Sequence, residues 1–147
     1  MDPRVTKLRT PEDCEVFARN CLAKGRPDLA KQARARLVDL RALSHGANTN
    51  AEREALAAVY AYEEVLAQRN GKRTRASRTW QMIKRHGVIQ AVERAVNRPD
   101  ETAGYTALVE MGLQDYAFEA IVVKYPTLFS AEAVQRCRTR IAEWSDK

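Results

Sequence analysis

Histidine and cysteine are scarce, with two of the first and three of the second in 147 residues. Three cysteines do not make a disulfide framework, and so few histidines leave no Cys/His spacing of the zinc-site kind. No metal and no cofactor are expected. Cys14 and Cys21 lie seven apart, on one helical face with Phe17 and Ala18, and read as small buried hydrophobes. Long apolar runs are also missing: stretches such as Ala120 to Val123 stop far short of the ~20 residues needed to cross a bilayer. The first residues, MDPRVTKLRTPEDCEVF, hold no apolar h-region. A cytoplasmic, bacterium-like setting without membrane attachment is the expectation.

Catalytic signatures are lacking as well. No H-E-x-x-H, G-x-x-x-x-G-K, G-x-S-x-G or G-x-G-x-x-G occurs. Of the acidic pairs, Glu12/Asp13 and Asp100/Glu101 fall at helix starts, where acids complement the dipole, and Glu63/Glu64 is expected on an exposed helical face. His86, beside Lys84 and Arg85, is the first candidate general base, with His45 in a loop behind it, which leaves a nuclease or base-processing enzyme as a third reading behind two non-enzymatic ones.

Gly and Pro are few and sit singly, at 6 and 5 residues, and they punctuate helical patterns. Thr10-Pro11-Glu12-Asp13 is a helix start with a Thr cap, Pro at the first position and two acids. Cys14, Phe17, Ala18, Cys21 and Leu22 follow at i, i+3, i+4, i+7 and i+8. The break at Gly25 and the restart at Pro27 predict a helical hairpin over 11–43. A loop at 44–50 and a cap at Thr49 or Asn50 open a long helix over 49–69, closed by Asn70-Gly71. A basic connection and a helix pair fill 72–97, the first helix spanning 77–86 with Ser77 as its cap. C-terminal helices occupy 100–144, the last one capped by Ser130. No β-rich partner exists for the short run Val122 to Tyr125. The fold class is all-α, a single domain of seven or eight helices, with a helix-turn-helix-like centre.

The most telling shortage is local. From Val65 to Val92 there is no acidic residue, while Arg69, Lys72, Arg73, Arg75, Arg78, Lys84 and Arg85 supply seven positive charges. The whole chain carries only +6, so the remainder is close to neutral and the basic character is concentrated here. Five of the seven are Arg, the cation suited to bidentate contacts with phosphate. A cluster of this kind reads as a nucleic-acid surface, with double-stranded DNA preferred. Lys72, Arg73 and Arg75 would reach phosphates from a flexible connection. Ser77 and Thr79 would donate to phosphate, and Arg78, Gln81 and Arg85 would face base edges from the outer side of the 77–86 helix. Lys31, Arg34 and Arg41 fall within an arc of about 80 degrees on a helical projection and would widen the footprint. Arg136, Arg138 and Arg140 would extend it if the fold brought them near. Trp80 and the tyrosines Tyr60, Tyr62, Tyr105 and Tyr116 are expected at core edges. The competing reading is a helical adaptor whose basic segment docks on an acidic protein. A homodimer would match a two-fold DNA site, although no heptad announces one.

Overall fold

The computed structural model describes residues 1–98 and 102–145, with the side chains of 102–104 left aside. Nine α-helices and two 3-10 turns are found among them, and no strand. They are α1 (Pro3–Thr6), α2 (Pro11–Ala23), α3 (Pro27–His45), α4 (Asn50–Asn70), α5 (Ser77–His86), α6 (Val88–Val96), α7 (Thr102–Glu110), α8 (Phe118–Lys124) and α9 (Ala131–Ser145). The all-α expectation holds. The acids at Asp100 and Glu101, expected in a first helical turn, lie outside the described residues.

Most helix ends obey the local chemistry. Thr10 Oγ1 accepts from the Asp13 N–H at 3.1 Å, and Thr49 Oγ1 accepts from the Glu52 N–H at 3.1 Å. Each bond satisfies a first-turn donor that the helix itself leaves open. Ser130 Oγ accepts from the Ala133 N–H at 3.1 Å and donates to Glu93 on α6, so one hydroxyl both caps α9 and ties it to α6. The 77–86 helix departs from expectation. Its cap position is Ala76 and no side chain caps it; Ser77 is the first helical residue instead. After Gly112 the chain makes a 3-10 turn at Gln114–Tyr116, and α8 starts after extended Ala117. Helix α1, a single turn opened by Asp2 and Pro3, is too short to show periodicity and was not expected.

Helix α4 is the axis. It packs against α3, α6, α7 and α8, and Ala51, Ala55, Ala57, Ala58 and Ala61 are all buried on it. Such small side chains let neighbouring helices approach closely on several sides. One core cluster joins Ala55 and Ala58 to Val92 and Val96 of α6, Ile121 and Val122 of α8 and Ala133 and Cys137 of α9. Another joins Ala61 and Val65 to Cys14, Leu37 and Val38 of the α2–α3 hairpin and to Met111 and Leu113. All three cysteines are buried and unpaired. Burial pushes the Cys137 thiol up to about 12, which keeps it protonated and chemically quiet.

Candidate nucleic-acid interface

The segment between α4 and α6 is positioned by one buried carboxylate. Glu63, on α4, is only 7% exposed, and its Oε2 accepts both the Ala76 N–H at 2.8 Å and the Trp80 Nε1–H at 2.7 Å. The expected exposed acidic face of α4 is thus corrected for Glu63, whose side chain points inward and holds the start of α5. Glu64 is turned away from solvent as well.

Trp80 is the second anchor. Its ring stacks on His45 at 5.2 Å and 9°, and meets Tyr60 at 5.1 Å in a tilted arrangement. His45 is the last residue of α3 and exchanges a hydrogen bond with Tyr60 Oη at 3.2 Å. Three helices therefore converge on one indole. The Arg75 guanidinium lies 5.6 Å from the Trp80 ring centre, within cation–π range. The connection before α5 is also knit to itself: Gly71 closes α4 at φ 69, Asn70 Nδ2 donates to Thr74 Oγ1 at 3.1 Å, and Thr74 Oγ1 donates to the Lys72 carbonyl at 3.0 Å. The flexible tether expected from sequence is instead a hydrogen-bonded turn.

Arg69, Lys72, Arg73, Arg75, Arg78, Lys84 and Arg85 are all exposed. Among the described residues, none of the seven forms an ion pair. Elsewhere Arg4, Arg26, Arg41, Lys124 and Arg140 do. The structure brings Arg78, Gln81 and Arg85 to the outer side of α5, with Lys84 and Ser77 exposed beside them, while Met82 is half-buried. Thr79 differs: it is half-buried and lines a cavity between α5 and the C-terminal helices. At the start of α5 the Glu63 carboxylate accepts the Ala76 N–H, which offsets the positive end of this helix dipole. Helix α5 packs chiefly on α6, the helix after it, rather than pairing with α4 as a helix-turn-helix outline implies. His86 is exposed at the end of α5.

The second basic group is dismantled by the fold. Arg41 is 9% exposed; its guanidinium donates to Glu15 at 3.0 Å and to Glu64 at 3.3 Å. Arg34 is half-buried and lines a small cavity with both acids. Lys31 is exposed, its stem against Gly112, where an added Cβ would lie 2.7 Å from Lys31 Cβ. Arg41 is therefore a core ion pair and not a surface contact. Arg140 likewise turns inward, to Glu119 at 3.3 Å and the Val96 carbonyl at 2.8 Å, and Arg136 bonds Asn97. Arg138 is exposed.

Burial pushes the Glu64 carboxyl above its ordinary range, against the pull of Arg41. Arg41→Ala would strand that carboxylate, at a cost of about 3 kcal/mol or more, measurable by urea denaturation at neutral pH. A raised folded-state pKa means that the native protein takes up the proton first, so stability from this group rises as pH falls through that value. The deficit of Arg41→Ala should accordingly shrink on acidification, and Glu64→Gln in the same background should recover part of it.

Among the described residues no cluster of three or more His, Cys, Asp or Glu is placed to hold a metal, and no helix is long and apolar enough to cross a membrane. Comparison with models of known protein families, with curated proteins and with solved structures finds no match to this chain.

Proposed function

We propose that the chain binds double-stranded nucleic acid, DNA in the first instance, through the segment from Arg69 to Arg85. The observation that carries this reading is the local density of open positive charge. Seven cations in one acid-free stretch stand exposed without an ion pair among the described residues. Charges left open in this way cost little in water and are ready to displace the counterions of a phosphate backbone. The Glu63 and Trp80 anchors hold the turn and α5 in place, so fewer degrees of freedom are lost on binding. Lys72, Arg73 and Arg75 supply sequence-independent affinity; Arg78, Gln81 and Arg85 lie on the exposed side of a helix, where Arg and Gln can reach base edges.

A salt titration tests the reading. Contact with five to seven phosphates gives a slope of log affinity against log salt of about −5 to −6. If the purified protein shifts no duplex at low salt yet binds an acidic polypeptide such as poly-glutamate, the basic segment serves a protein partner and the nucleic-acid reading fails.

A further inference from the structure

Beneath the basic segment lies a cavity of about 160 Å³ whose lining includes Arg69 and Thr79 from that segment, Arg98, and the rings of Tyr62, Tyr105, Phe118 and Trp144. The cavity opens to solvent beside Tyr62, Arg69 and Arg98, which are exposed, and a volume of about 150 Å³ is enough for a benzene ring. Tyr105 is stacked on Trp144 at 4.6 Å, giving an ordered aromatic wall, while Tyr62 is 39% exposed and its ring is open to contact from solvent. Arg69 and Arg98 are both exposed. Glu119 also lines the cavity, its carboxylate paired with Arg140 at 3.3 Å. Aromatic walls with room for one six-membered ring, next to two exposed guanidinium groups, match the chemistry of a planar base carrying a phosphate.

We infer that this cavity takes one unstacked pyrimidine nucleotide, its base among Tyr62, Tyr105 and Phe118 and its phosphate on Arg69 and Arg98. The inference rests on the nucleic-acid reading, because Arg69 belongs to both surfaces, and it adds a second kind of contact to it. A duplex would lie across the exposed cations while a single extrahelical base enters the cavity, the arrangement proteins use when a base must leave the stack. The same chemistry would also accept a free pyrimidine nucleotide.

The experiment uses the full chain with two labelled duplexes of one sequence, one fully paired and one with a single bulged thymidine, and with dTMP followed by tryptophan fluorescence. The expected result is about tenfold tighter binding of the bulged duplex, the lower end of what one stacked base contributes. Tyr62→Ala should bring the ratio of the two affinities near one, and Tyr62→Phe should restore it. Binding of dTMP that is lost in Tyr62→Ala, with no preference for the bulge, assigns the cavity to free nucleotides. Equal binding of both duplexes with no response to dTMP overturns the inference and leaves the duplex reading standing. Response to dTMP without binding of either duplex overturns the duplex reading and assigns the cavity to free nucleotides, and no binding to any of the three overturns both.

Discussion

Glu63→Ala should destabilise the protein by about 3 kcal/mol, because it removes two hydrogen bonds to a charged acceptor, each worth roughly 1.5–3 kcal/mol. The Ala76 N–H and the indole N–H would be left without their partner in a region where water has little access. For a chain of this size the loss corresponds to a drop in melting temperature on the order of 10 °C. Glu63→Gln is the control. Both donors address the same oxygen atom, and an amide oxygen can accept from both, so this variant should lose only about 1 kcal/mol. If Ala and Gln behave alike in thermal denaturation, the carboxylate is not the anchor of α5. The Ala variant should also weaken duplex binding, since the turn and helix that present the cations would no longer be held.

The second large effect concerns affinity with the fold unchanged. Replacing Arg73, Arg75 and Arg78 together by Ala should reduce the salt slope by about 2 to 3 and the affinity at physiological salt on the order of a hundredfold, the share of two phosphate contacts and one base-edge cation. All three side chains are exposed, so the thermal transition should move little; Arg75 alone gives up a cation–π contact with Trp80, worth roughly 0.5–1 kcal/mol at an exposed site. Gel-shift titrations at several salt concentrations, with a melting curve of each variant, separate the two effects. An unchanged slope would remove the turn before α5 from the binding surface.

The helices that were legible are those whose ends are written in local chemistry. Thr10-Pro11, Thr49 and Gly71 act within a few residues of themselves, and the start of α2 and both ends of α4 follow from them. The division between positioning and binding residues was not legible, because it depends on where charged side chains point. Glu63 and Arg41 were assigned to surfaces on the ground that charges face water. A usable signal was present. Glu63 follows Ala55 and Val59 at i+8 and i+4, and Arg41 follows Ala33 and Leu37 in the same way, so both charges lie in phase with a buried stripe. A charge in that phase must find a partner inside, and Arg41 finds its own 23 and 26 residues away along the chain. Such distances lie beyond any local pattern. The cavity lined by Tyr62, Tyr105 and Trp144 was hidden for the same reason, since it forms only where α4, α5 and the C-terminal helices meet.

Helix α5 contains no fully buried residue, and this has a consequence for how the protein can change. Its inward side rests on Trp80 and Ile83, half-buried against other helices, while Arg78, Gln81, Lys84 and Arg85 carry almost none of the folding free energy. Exposed substitutions of this sort usually stay within about 0.5 kcal/mol of neutral. The outward face of α5 is therefore open to selection almost independently of stability: a lineage, or an engineered library, could rewrite those four positions and acquire a new target while the scaffold beneath keeps its melting point.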